Sequence, residues 1–201
     1  MIDYQAIIDY YYPEGENPQL REILMRHSRA VAEKAVKIVD AHPELGADRD
    51  FVYAAAMLHD IGIVKCDAPG IHCYGTEPYL KHGVIGASLI EAYPQPLPEG
   101  KGVGKANNEP LNNNSSSAPG FPSLQGGDRG RLSRVCARHT GTGLPGLEPE
   151  TVEEKIICYA DKFFSKTKLD REKTFEEARQ SLMKFGEEGV KKFEEWHEKF
   201  S

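Results

Sequence analysis

No stretch of this 201-residue chain approaches the roughly 20 consecutive apolar residues that span a bilayer. The first twelve residues have no basic leading region and are interrupted by Asp3 and Asp9. They do not read as a secretory signal, and the cytoplasm is the expected location. Positive charge is not in excess either: 25 Lys and Arg stand against 31 Asp and Glu, for a net charge of -6. Without a broad basic field, neither nucleic acid nor an anionic membrane surface is expected as a non-specific partner, and any phosphate chemistry has to be local. There is no Cys-x-x-Cys. The four cysteines (Cys66, Cys73, Cys136, Cys158) are scattered, which argues against a disulfide scaffold and a zinc ribbon. Internal repeats and convincing strands are lacking too.

What is present is helical periodicity. At 39% hydrophobic and 28% charged, the composition fits one globular domain over 1–201. A short amphipathic helix over 2–12 ends at Pro13. Asn17-Pro18 then reads as an N-cap followed by proline at the first helical position. Leu20, Ile23, Leu24, His27, Ala30, Val31, Ala35, Ile38 and Val39 follow on one face. His42-Pro43 and Gly46 end that helix, Asp48 or Asp50 caps the next, and Val64–Tyr79 reads as a loop. Helices are further expected over Tyr79–Tyr93, from Arg131 to His139, from a Thr151–Glu154 capping box onward, and over about 170–200 as one charged amphipathic C-terminal helix. Between them, 94–130 is rich in Pro, Asn, Ser and Gly with no apolar period, and reads as an inserted, disordered low-complexity loop. Its Gly100-Lys-Gly-Val-Gly-Lys105 run has no strand before it, no helix after it and no Ser or Thr after Lys105. It is therefore not read as a phosphate loop.

Against this apolar background, ligand-type side chains recur at helical positions. His59-Asp60 ends an Ala-rich helix just before Gly62. His27 and Asp161 lie on faces that are otherwise apolar, and His82 and His139 stand at helix ends. One buried histidine needs no special account, but several polar groups aimed from different helices into one core need a shared partner. Imidazole and carboxylate without thiolate suit Fe, Mn, Zn or Ni, and four His with two Asp exceed what one tetrahedral ion uses. A divalent transition metal centre, Fe, Mn, Zn or Ni, is expected, and two ions would use all six donors.

The ordered set His27, His59-Asp60-Ile-Gly62, His82, His139, Asp161 resembles the HD superfamily of metal-dependent phosphohydrolases in its HDIG branch, over roughly 20–168 outside the insertion. The runs Lys81–Ala87, His139–Gly143 and Glu154–Asp161 are most similar to bacterial enzymes that cleave diadenosine tetraphosphate symmetrically. The resemblance implies an all-α HD bundle with its core at 18–168. His27, His59, Asp60 and Asp161 would hold one metal, and His82 with His139 a second. Asp60 would bridge the two, and His59 and Asp60 would stand at the reacting centre. It implies a small-molecule phosphoester or nucleotide substrate; a homodimer is left open. Lys65, Arg26, Arg138 and Lys162 are candidates to meet substrate phosphates, the alternative for each being a solvated surface charge. The lengthened spacing between His82 and His139 demands that the insertion bulge outward. Rival readings are a non-catalytic metal- and nucleotide-binding regulatory module, and a helical structural protein with no metal.

Overall fold

Residues 2–94, 127–141 and 146–201 are described by a computed structural model. The expected loop, with its Gly100–Lys105 run, lies outside the described residues except at its edges. Among the described residues are eight α-helices: α1 (Tyr4–Tyr11), α2 (Pro18–Ala41), α3 (Arg49–Leu58), α4 (His82–Ala92), α5 (Asp128–Arg138), α6 (Val152–Asp161), α7 (Phe175–Leu182) and α8 (Glu187–Phe200). The fold is an all-α bundle.

Capping chemistry sets most of the boundaries. The Asn17 side chain accepts from the Leu20 amide at 3.1 Å with Pro18 at the first helical position, so α2 starts where the sequence says. Asp48, not Asp50, caps α3, accepting from Phe51 at 3.0 Å. Thr151 and Glu154 form the reciprocal capping box of α6.

Helix α2 is the spine. Its buried stripe of Leu20, Leu24, Val31, Ala35 and Ile38 packs on α3 and α6, while α4 packs on α5 and on the short 3-10 turn Ile61–Lys65. One apolar cluster runs from Ile7 in α1 to Phe200 in α8. Each fully buried member such as Leu24 contributes roughly 1.5–3 kcal/mol. Two long cations tie helices together. Arg134 bonds Glu154 at 2.8 Å, joining α5 to α6, and Arg129 donates to the last carbonyls of α4 at Ile90, Glu91 and Tyr93.

Three expectations are corrected. The charged C-terminal segment is two helices, because Gly186 takes φ +108°, where a continuous helix cannot pass. Helix α5 begins at Asp128, three residues before Arg131. The Val64–Tyr79 segment contains a small sheet of β1 (Cys66–Ala68), β2 (Cys73–Tyr74) and β3 (Glu77–Pro78), ordered β2-β1-β3. Strands of two or three residues are too short to show a period-2 pattern.

Candidate metal centre

Six side chains meet where five helices end or cross. His27 projects from the middle of α2. His59 is the C-cap of α3 and Asp60 follows it, while His82 opens α4 and His139 caps α5. Asp161 is the last residue of α6, a helix C-terminus that disfavours a carboxylate unless a cation answers it. His27, His59, Asp60, His82 and His139 are all buried.

Backbone carbonyls orient the rings. His59, His82 and His139 each donate Nδ1–H to the carbonyl three residues earlier, at Ala56 (2.6 Å), Tyr79 (2.6 Å) and Cys136 (2.7 Å). That fixes the ring orientation and turns each Nε2 toward the cluster, the arrangement that supports metal-ligating imidazoles.

Asp60 divides the cluster in two. Its Oδ2 lies 3.1 Å from Nε2 of both His27 and His59, while its Oδ1 lies 3.3 Å from His82 Nε2 and 3.4 Å from His139 Nε2. Asp161 Oδ1 completes the first group, 3.0 Å from His27 and 3.5 Å from His59. Donors ~2.1 Å from a common ion lie about 3.0–3.4 Å from one another, so the spacing suits metal ligands. The angles agree. Both Asp60 oxygens and His59 Nε2 are buried without a properly directed hydrogen bond, and Nε2 of His82 and His139 face each other at 3.0 Å. Unpartnered carboxylate oxygens and closely opposed imidazole nitrogens are what a shared cation would answer. The His/Asp cluster is compatible with a divalent metal ion.

The electrostatics are strongly coupled. Burial alone would raise the carboxyl pKa of Asp60, but Lys166 first, then His59, His139 and His27, hold it well below the usual carboxylate range. Asp161 is depressed in the same way, its burial overridden by Lys162 and by the neighbouring His27 and His59 imidazoles. Burial pulls His82 down to about 3. At His59 burial acts downward too, but Asp60 and Asp161 override it and push the imidazole up to about 9. In the metal-free protein His59 is thus protonated at neutral pH. Its folded pKa exceeds the unfolded value near 6.5, so its stabilisation is complete below about pH 6.5 and is lost as pH rises through about 9. A cation entering the cluster must expel that proton. Manganese uptake at pH 7 is expected to release about one proton, and affinity to rise about tenfold per pH unit up to about 9. Calorimetry in buffers of different ionisation enthalpy measures both.

The glycine after the His-Asp pair has a packing role. A Cβ on Gly62 would collide with the carbonyl oxygen of His82 and the amide nitrogen of Gly86, backbone atoms that cannot yield. The 61–65 turn therefore lies directly on α4, which sets His82 opposite Asp60. Tyr12 latches the same turn, donating to the Ile61 carbonyl at 2.8 Å and accepting from the Val64 amide at 3.0 Å. Gly62→Ala is expected to cost ~1–3 kcal/mol or more and to weaken the His82–His139 half of the cluster, read as a lowered Tm and lost metal.

The cluster opens into a cleft of about 290 Å³ lined by Tyr79, Leu80, Lys162, Lys166, Lys173, Lys184 and Phe185. A larger groove of about 670 Å³ runs along α2 to Ser201 but contains none of the six donors. Of the four cations proposed from sequence, Lys162 lines the cleft and donates to Asp161 Oδ2 and the His139 carbonyl, both at 3.1 Å. Arg26 pairs with Asp170 and Glu22, Arg138 with Glu150 and the Glu148 carbonyl, and Lys65 is exposed on the 61–65 turn. None of these three lines the cleft. Sequence reasoning missed Lys166, Lys173 and Lys184. Lys166 is the most intimate, with its Nζ 2.6 Å from Asp60 Oδ2. Its only signal was a run of lysines just after Asp161.

Fold and site together define a helical bundle whose core cluster of four His and two Asp suits a divalent metal. Residues 24–165 match the family model described as HD domain, and the chain belongs to the HD-domain family, whose members are mostly metal-dependent hydrolases. Two curated proteins are similar at low identity, both named tRNA (cytidine(56)-2'-O)-methyltransferase. The one from Picrophilus torridus is 25% identical over 160 residues, covering 74% of this chain and 33% of that protein. The one from Thermoplasma volcanium is 23% identical over 175 residues, covering 81% and 37%. The chain thus spans about a third of the length of these relatives. No solved structure matches it significantly. No helix among the described residues is long and apolar enough to cross a membrane.

Proposed function

We propose that the chain is a metal-dependent phosphohydrolase acting on a nucleotide or dinucleoside polyphosphate. The observation that carries this reading is the split of Asp60, one oxygen toward His27, His59 and Asp161 and the other toward His82 and His139. In this reading His27, His59 and Asp161 would hold one ion and His82 with His139 a second, with Asp60 available to both. A divalent transition metal bound there, Fe or Mn by preference and Zn or Ni by donor type, acidifies a water and neutralises charge on phosphoryl oxygens.

The chain's own residues supply the rest. Lys162, Lys166, Lys173 and Lys184 concentrate positive charge at one cleft of an otherwise acidic protein, which favours a polyanion there. Tyr79 stacks on His82 with ring centroids 4.7 Å apart, and burial pushes its phenol up to about 12, so it stays neutral and able to donate. Leu80 and Phe185 expose apolar surface at the cleft rim, suited to a base or another flat group beside the phosphates.

The relatives' name describes methyl transfer to tRNA, which is not the chemistry a cluster of imidazoles and carboxylates serves. It does place RNA-derived nucleotides in the substrate panel. Anaerobic purification with Fe or Mn, metal quantification, and a screen of diadenosine polyphosphates, nucleotides and simple phosphoesters form the test. Bound metal with product release is expected. A fully loaded protein that binds nucleotide but releases nothing would leave the non-catalytic binding module in its place.

A further inference from the structure

Two lysines answer the two carboxylates of the cluster, and they do so differently. Lys162 Nζ lies 3.1 Å from Asp161 Oδ2, whereas the Asp161 oxygen that faces His27 and His59 is Oδ1. The Lys162 ammonium and an ion held by the first group therefore use different oxygens, and Lys162 also keeps the His139 carbonyl at 3.1 Å. Lys166 has no such separation. Its Nζ lies 2.6 Å from Asp60 Oδ2, the same oxygen that stands 3.1 Å from Nε2 of both His27 and His59. A divalent ion answering that oxygen competes with the ammonium for one negative charge, and in a dry cluster the two cations repel. Asp60 is also the only carboxylate within 4.0 Å of Lys166 Nζ among the described residues, and the Lys166 side chain is 13% exposed. Once an ion claims Asp60, Lys166 is a nearly buried ammonium that needs a new anion.

We propose that Lys166 exchanges partners: an ion in the group of His27, His59, Asp60 and Asp161 displaces its ammonium from Asp60, and the ammonium then binds an oxyanion in the adjoining cleft. This rests on metal binding by the cluster and holds whether or not hydrolysis follows. The surroundings suit the exchange. The backbone of the turn is tied, since the Lys168 amide donates to the Ser165 carbonyl at 3.2 Å and these two residues pair as an isolated bridge. What turns is the flexible four-carbon stem of the side chain. Lys166 and Tyr79 both line the 290 Å³ cleft, together with Lys162, Lys173 and Lys184. The Tyr79 ring centroid, 5.9 Å from Nζ, offers the ammonium an aromatic face but no countercharge. An oxyanion in the cleft supplies that countercharge through a charge-assisted hydrogen bond. Ion and anion are thereby coupled through one side chain. The cleft gains the free Lys166 ammonium only after the ion is in place, and by linkage the anion tightens the ion.

The exchange is read on the wild-type full chain by acetylation with acetic anhydride, followed by peptide mass mapping of each lysine. The protein is labelled metal-free, manganese-loaded, and manganese-loaded with inorganic phosphate. Lys162 and Lys81, whose side chain is 60% exposed, are the internal references. An amine held against a carboxylate or a phosphate is shielded from the reagent, so Lys166 is expected to react slowly without metal, about tenfold faster with manganese, and slowly again with phosphate. Lys81 is expected to stay constant and Lys162 to shift far less than Lys166. A Lys166 rate that manganese leaves unchanged, an equal rise at Lys162, or a rise that phosphate does not reverse overturns the exchange. Calorimetry reads the linkage: phosphate is expected to tighten manganese binding, and the tightening factor to fall by about fivefold or more in Lys166→Met. An unchanged factor overturns the exchange as well. A chain that takes up no manganese overturns the metal reading and the exchange with it, whereas bound manganese with Lys166 still shielded overturns the exchange alone.

Discussion

In Asp60→Ala, metal content is expected to fall at both halves of the cluster together, and phosphoester turnover to fall on the order of 10³-fold or more. The reason is geometric. Each Asp60 oxygen faces a different pair of imidazoles, so no other single residue is common to both groups. His82→Ala should differ in kind, removing one donor from the second group and leaving His27, His59, Asp60 and Asp161 intact. Metal quantification separates the cases: Asp60→Ala loses both ions, His82→Ala one. A stability consequence must be disentangled from this. Removing a fully buried carboxylate leaves the Lys166 ammonium and the protonated His59 without their shared anion, and breaking such buried pairs costs ~3–5 kcal/mol. Asp60→Asn keeps the volume and is the better variant if the alanine fails to fold. If Asp60→Asn retained two ions per chain, the bridging role would be lost.

The six candidate ligands that the fold brings together stood out in the sequence because they contradict their surroundings. His27 and Asp161 interrupt apolar faces, and His59, His82 and His139 sit at helix ends where a cap or a turn places them. The helix starts were legible for the same reason, since Asn17-Pro18, Asp48 and Thr151–Glu154 are local chemistry. What was not legible depends on three dimensions. Arg26 and Arg138 were considered because they precede His27 and His139. Within a helix, though, consecutive residues are rotated by about 100°, and both arginines point into ion pairs away from the cleft. Adjacency holds for Lys162 because the helix ends at Asp161 and the chain turns there. Lys166, Lys173 and Lys184 reach the cleft through the turn after α6 and the segments leading into and out of α7, and no spacing rule encodes that path. The break at Gly186 was also hidden, because α7, the turn and α8 carry one amphipathic pattern.

Lys166→Met carries the second large effect, and its sign depends on what occupies the cluster. In the metal-free protein the Lys166 ammonium compensates Asp60, a carboxylate with no exposure and no properly directed hydrogen bond. Its loss is expected to cost ~2–4 kcal/mol, toward the lower part of the range for a broken buried pair because His59 and His27 still face the same oxygen. Metal saturation should largely erase that difference, because a bound cation supplies the compensation and stabilises by mass action. Metal affinity itself should rise in the variant, since the competing cation at Oδ2 is gone, while affinity for inorganic phosphate on the loaded protein should fall about 10- to 100-fold. A merely structural lysine predicts otherwise: the Tm deficit would persist unchanged at saturating manganese, and phosphate affinity would not move. Thermal melts with and without manganese, with phosphate titrations of the loaded proteins, decide between a cation that only fills the core and one that passes from Asp60 to the substrate.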